Sequence, residues 1–213
     1  GKNDDSFHQL IPSKVMSKFI NSFLEWILKD EELGIIIKSK KPGLLQMLPD
    51  IETNLNLAKK TGRCKIFDKL GLETKKFSNI VDFSIGISAD IPSSVIQIAI
   101  NGQKSIIYDF SNFKPFENEL YQWGKNKVIF DNLETLITKL KNLKSHNDKN
   151  VGDWTNNIKH YDSFCDGKGG ERIGDYVADL KFYFDKGHAL HDTILYASSN
   201  YEKKWGKEMV IKL

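Results

Sequence analysis

The sequence predicts an α/β protein: a Rossmann-like parallel sheet of about five strands with helices on both faces, followed by C-terminal helices. Three observations lead there. Apolar strand-like runs alternate with helical patterns at short spacing for about 110 residues, the signature of stacked βαβ units. The runs are short and β-branched, as in strands covered on both faces. After residue 143 the pattern changes to a polar, Gly/Asn-rich stretch and then to two helical segments. The expected division is therefore a nucleotide-binding-type domain over 12–143 and a C-terminal loop with helices over 144–213, packing on it.

The elements are expected in this order. Residues 12–33 carry Val15, Phe19, Phe23, Trp26, Ile27 and Leu33 at helical spacing, starting at Pro12 and Ser13 and stopping at Gly34. IIIKS (35–39) reads as a buried strand and KKPG (40–43) as a turn. Residues 44–60 are again helical, with Pro49 expected to shift or kink the start. CKIFD (64–68) is a strand, 73–82 a short helix and FSIGI (83–87) a strand. PSSVIQIAI (92–100) is a helix, KSIIYDF (104–110) a strand, NKVIFD (126–131) a strand and 133–143 a helix. The tail has a loop at 144–154, a helix over 170–186 with Ile173, Val177, Leu180 and Phe184 on one face, and another over 188–205. The closing VIKL reads as a strand or a loose tail.

Bulk properties exclude several classes. With 213 residues, 40% hydrophobic and 28% charged, the composition is that of a globular protein. No apolar run approaches the roughly 20 residues of a membrane helix, and GKNDDSFHQL is not a signal-peptide start. A cytoplasmic location is expected, with the abrupt start suggesting a piece of something longer. Lys and Arg are dispersed and the formal charge is only +3, so no nucleic-acid partner is indicated; a peripheral contact with membrane phospholipid stays open. Cys64 and Cys165 lack any zinc-ligand spacing and read as buried free thiols. No metal or cofactor is expected, because no Asp-x-Asp pair lies on a strand-end loop.

Chemistry concentrates where strands end. The helix at 92–100 opens with Pro92, Ser93 and Ser94. Its first amides lack intrahelical partners, its dipole is positive there, and two hydroxyls stand beside them, which suits a phosphate. The competing reading is that Ser88 or Asp90 caps the helix and the serines merely start it. IIIKSKKPG sets Lys38, Lys40 and Lys41 just past a strand, as point charges for a diphosphate or carboxylate or simply as a solvated turn. The loop within 109–131, beginning at Asp109, holds Phe110, Phe113, Phe116, Tyr121 and Trp123, which either stack a base or close the sheet edge. HYDSFCDGKGGERIG (160–174) gathers His160, Asp162, Asp166, Lys168, Glu171 and Arg172 without a convincing ligand spacing, and reads as a turn opening a helix.

The order of "VDFSIGIS", "PSS", "NGQKSIIYDF", "YQWGKNKVIFDNLETLITKL" and "DSFCDGKGGERIGDYV" resembles the C-terminal, donor-binding half of GT-B glycosyltransferases. It is most similar to transferases that build bacterial surface polysaccharides, including CMP-sugar-dependent sialyl- and Kdo-transferases. The resemblance spans roughly residues 15–180. In that family a His-Pro pair meets the nucleotide and a Ser-Ser pair its phosphate. Ser93 and Ser94 match the second pair; Lys41-Pro42 stands where His-Pro would be, with Lys in place of His. The resemblance implies a nucleotide-sugar donor, a cytidine monophosphate sugar ahead of a uridine diphosphate sugar, and a glycan acceptor on a surface polysaccharide or lipopolysaccharide. It implies a nucleotide and phosphate set of Ser88, Ser93, Ser94, Lys38, Lys41, Pro42 and Asp109. It also implies that an N-terminal acceptor-binding half supplies the general base, so this piece alone would be inactive. The rivals are a polyol-phosphate transferase of teichoic-type polymers and a non-catalytic nucleotide-binding module.

Overall fold

The computed structural model describes residues 11–39, 42–67, 80–88, 91–111, 119–146 and 150–207. Most of the helix expected at 73–82, the closing VIKL, Lys40, Lys41 and Asp90 lie outside them. The chain forms two compact units, one through Asn157 and one from Ile158.

The first unit begins with α1, Ser13–Lys29. Pro12 occupies its N-cap with φ −58°, the ring's own value, so the helix starts where the sequence implies. It stops before Gly34 for a reason local sequence does not carry. The Arg63 guanidinium donates to the carbonyls of Asp30 (2.6 Å) and Leu33 (2.8 Å), and so satisfies backbone acceptors beyond the last turn. Strand β1 (Ile35–Lys38) follows. The helix expected over 44–60 is split by Pro49 into a 3-10 turn at Leu45–Met47 and α2, Glu52–Lys60. Between the two, Asp50 takes φ 61° and its carbonyl accepts from the Asn21 amide of α1 (2.8 Å).

Then come β2 (Cys64–Phe67), β3 (Ser84–Ser88), α3 (Ser93–Ile100), β4 (Ser105–Asp109), α4 (Glu119–Trp123), β5 (Ile129–Phe130) and α5 (Leu133–His146). Every ladder is parallel: β1 with β2, and β3 with β4 with β5. The architecture is therefore α/β with parallel sheets. The single sheet of about five strands is not what the ladders form, because among the described residues they close as a pair and a triplet. Both sets nevertheless pack on one apolar core. Leu24 and Ile27 of α1, Ile106 of β4 and Leu136 of α5 are wholly buried in it, while Ile35, Ile37, Ile85 and Ile87 line it. Each fully buried side chain of this kind stabilises the fold by about 1.5–3 kcal/mol.

Two stretches expected to be loops prove ordered parts of this unit. One is α4, inside the aromatic-rich segment. The other is 150–154. Gly152 donates to the Lys127 carbonyl (2.8 Å) and accepts from the Ser105 amide (3.0 Å), and Trp154 Nε1 donates to the Ser105 carbonyl (2.8 Å). Val151 and Trp154 are buried, and Trp154 meets Trp123 edge-on. The stretch thus laces the amino ends of β4 and β5. This is why the first unit runs past residue 143, the boundary expected from composition, to Asn157.

The second unit holds a 3-10 turn (Ile158–His160) and two helices, α6 (Gly169–Asp185) and α7 (Leu190–Trp205). They form a hairpin closed by Gly187 at φ 82°, a left-handed helix end. Their seam is polar and aromatic. Tyr176 meets Tyr201 edge-on, Tyr183 packs on Tyr196, and Asp175 accepts from Lys204 Nζ (2.7 Å) and Trp205 Nε1 (2.9 Å).

Candidate functional site

The carboxyl end of the β3–β4 ladder is where the sequence readings converge, and one glycine makes its geometry. A Cβ on Gly86 would lie 2.5 Å from Val95 Cγ2 and 3.1 Å from Pro92 Cγ. Only glycine in mid-strand lets the first turn of α3 sit this close to β3. From the other side, Ser105 Oγ of β4 donates to the Val95 carbonyl (3.0 Å). These contacts pin the first turn of α3 against the middle of β3 and the amino end of β4.

At that start, Pro92 is the N-cap and makes no side-chain capping bond, and among the described residues no other side chain caps the helix. Ser93 and Ser94 are both exposed. The Val95 and Ile96 amides donate to the Pro92 carbonyl, which leaves the Ser93 and Ser94 amides without a described acceptor, beside two exposed residues' hydroxyls at the positive end of the helix dipole. Ser88 and Asp109 end β3 and β4 as direct neighbours in the ladder.

Asp109 is nearly fully buried, and its carboxylate already has protein partners. Oδ1 accepts from the Ser111 amide (2.9 Å) and hydroxyl (2.6 Å), and Oδ2 from the Tyr121 hydroxyl (3.0 Å). This geometry ties the strand end to α4 and orders the floor of the edge. The adjacent Tyr108 ring stacks on Phe19 at 5.5 Å, and burial, helped by the Asp109 charge, pushes its hydroxyl above the usual tyrosine pKa.

Lys38 and Pro42 lie at the carboxyl end of the other ladder, β1–β2, both exposed. No ladder among the described residues joins them to Ser88, Ser93, Ser94 and Asp109, and Lys41 lies outside those residues. Beside Lys38 is a residue the sequence reading passed over. Ser39 is only 7% exposed and its Oγ has no hydrogen-bond partner among the described residues. Leaving such a hydroxyl unpaired costs about 1–3 kcal/mol. The available signal was a small hydroxyl set between two lysines, Lys38 and Lys40, where a β-branched run ends.

The cluster at 160–174 proves to be a structural lock. Arg172 is buried, its guanidinium 3.3 Å from the Phe164 ring centroid and 4.8 Å from that of Trp205. It donates to both oxygens of Asp166, at 3.0 and 2.5 Å. That hydrogen bonding, with the Lys168 amide adding to it, holds the Asp166 carboxyl down to about 2. Asp162 Oδ1 accepts from the Cys165 amide (2.9 Å). Cys64 is buried as expected and its thiol pKa is raised by burial, but Cys165 is exposed, contrary to expectation, on a turn at φ 50°.

Among the described residues no three His, Cys, Asp or Glu side chains group as metal ligands, and no helix is long and apolar enough to cross a membrane. Protein-family models, curated proteins and solved structures were compared with the chain, and none matches.

Proposed function

We propose that this chain is the donor-binding domain of a glycosyltransferase, holding the phosphate of a nucleotide sugar at the start of α3. The reading is carried by one observation: Gly86 lets a helix N-terminus that no described side chain caps, bearing two exposed hydroxyls, pack closely on β3, the strand whose carboxyl end leads into it. Ligands of open α/β sheets bind at that end. Helix amides and serine hydroxyls donate to a phosphate without needing a metal. In the transfer, the anomeric carbon of the sugar leaves the nucleotide phosphate for an acceptor hydroxyl, and donors at Ser93 and Ser94 stabilise the charge that grows on the departing phosphate. Lys38 adds positive charge at the β1 edge, where a Rossmann-like arrangement of the two ladders would bring it toward the nucleotide. The family resemblance favours a Kdo- or sialic-acid-like sugar carried by cytidine monophosphate, transferred onto a surface polysaccharide. An acceptor-binding domain would supply the general base.

Calorimetric titration with cytidine monophosphate and with uridine diphosphate tests the assignment. Ser93→Ala/Ser94→Ala should weaken binding by about 1.5–3 kcal/mol, the worth of hydrogen bonds to a charged group. Equal affinity in wild type and double mutant sinks the site. Tighter binding of uridine diphosphate by about tenfold, 1.4 kcal/mol, would overturn the cytidine preference.

A further inference from the structure

Within the second unit, the described residues of the α6–α7 hairpin carry a large exposed apolar surface, and its chemistry identifies what covers it. On α6, Ile173, Val177 and Phe184 fall at i, i+4 and i+11 and are 68, 55 and 63% exposed, with half-buried Leu180 between them. On α7, Leu190 and Ile194 are 67 and 42% exposed. The seam between the helices runs through Tyr176 and Tyr183 of α6 and Ala197, Asn200 and Tyr201 of α7. Helical rotation places both apolar stripes on the same flank of that seam, so the antiparallel pair offers one continuous face. An isolated exposed Leu needs no explanation, but a contiguous patch of this kind marks an interaction surface.

A second feature borders the apolar stripe on α6. Gly170, Gly174 and Ala178, spaced four apart, are all exposed. A Cβ on either glycine would meet nothing within 4 Å, so no packing among the described residues requires them. Glycine inside a helix is unfavourable, and two on one stripe leave a groove into which another helix can settle. The face therefore carries a ridge of large side chains beside a groove of small ones. A surface holding both halves is complementary to itself across a two-fold axis.

We infer that this face is the interface with a second copy of the chain, the two hairpins pairing as a four-helix bundle. At roughly 180 Å² for a fully exposed large apolar side chain, the five open residues leave on the order of 500 Å² per copy. Two copies then bury on the order of 1,000 Å², the lower bound of a specific interface. Charge points the same way. Residues 158–213 hold nine Lys or Arg and nine Asp or Glu, so two copies do not repel, and the polar side lacks the basic excess that draws an amphipathic hairpin to anionic lipid.

Light scattering behind size exclusion, on the full chain across a dilution series, tests this. Wild type should elute as a dimer. Ile173→Glu/Val177→Glu should give a monomer with unchanged helical circular dichroism, since both side chains are exposed. Gly174→Leu should strengthen α6 in the monomer yet raise the dissociation constant by more than about tenfold by filling the groove. A wild-type monomer at every concentration overturns the inference, as does a dimer that neither variant weakens. Co-sedimentation of monomeric chain with phosphatidylcholine vesicles would also overturn it, assigning the face to lipid.

Discussion

Helices α1 and α6 are each 17 residues long, and each carries an apolar stripe at helical spacing, yet they end in different environments. α1 buries Phe19, Ile20, Phe23, Leu24 and Ile27 against strands and helices far along the chain. Arg172 is the residue of α6 that is buried, and Ile173, Val177 and Phe184 stay open. Periodicity therefore says which face of a helix is apolar, not what covers it. Helix stability in a folded protein comes mostly from the packing of that face. The first unit spends its apolar surface on its own core. The hairpin instead holds its helices together with aromatic stacking, the Asp175 cluster and the Arg172–Asp166 lock.

The sharpest test of this contrast is truncation in α1. Leu24 is wholly buried, so Leu24→Ala should cost about 2–5 kcal/mol in urea unfolding, through lost transfer energy and a residual cavity. A loss under about 1 kcal/mol would mean the site collapses freely and the core is less tightly packed than described. Next in size is Gly86→Val. A branched side chain cannot fit where even a Cβ lies 2.5 Å from Val95, and overpacking should cost about 1–3 kcal/mol. It should also push α3 away from β3 and weaken phosphate binding; a variant with wild-type stability and affinity would refute the close approach. Trp154→Phe removes the bond to the Ser105 carbonyl and should cost about 0.5–1.5 kcal/mol. If it were neutral, 150–154 would not belong to the first unit's framework.

The largest acid-side pH dependence should come from the hairpin, with a further contribution from Asp153 of the first unit, whose carboxyl is lowered by its bond from the Thr155 hydroxyl. Asp166 is held near 2 against an ordinary 3.8. A carboxyl depressed on folding contributes stability that is full above its unfolded value and is lost as pH falls through the folded one. Trp205 fluorescence, monitored during urea unfolding, should show stability falling between pH 4 and pH 2. In Arg172→Met that dependence should flatten; an unchanged slope would assign it to other carboxylates. The smallest effect belongs to Val177→Ala measured at a dilution where the chain is monomeric. An exposed side chain leaves no cavity, so apart from the slight gain in helix propensity the change should stay within about 0.5 kcal/mol. A loss comparable to that of Leu24→Ala would show that the α6 stripe is covered within the chain, and the contrast would fail.

Part of the candidate site was legible in SIGISADIPSS, because its signals are local: a proline fit for a helix start and serines beside unpaired amides. The part of Gly86 was not, since only the packing of Val95 and Pro92 against β3 demands a residue without Cβ there. The part of Asp109 was not legible. Its partners are Ser111 and Tyr121, and Tyr121 reaches it only because α4 folds within a segment that reads as loop. Ser39 was equally hidden, since burial depends on what packs over a strand end.

By itself the sequence determined the parallel α/β character, the amphipathic faces, the break at Pro49 and the start of α3. These follow from side-chain period and backbone restriction within a few residues. Tertiary structure decided the rest. Arg63 ends α1 from more than thirty residues away, Gly152 and Trp154 join the first unit by bonding to β4 and the turn before β5, and the strands close as a pair and a triplet. It also decided which apolar stripe became core and which stayed open. A hydrogen bond or an apolar contact forms between whatever the fold brings within reach, and a partner tens of residues away leaves no mark on local pattern.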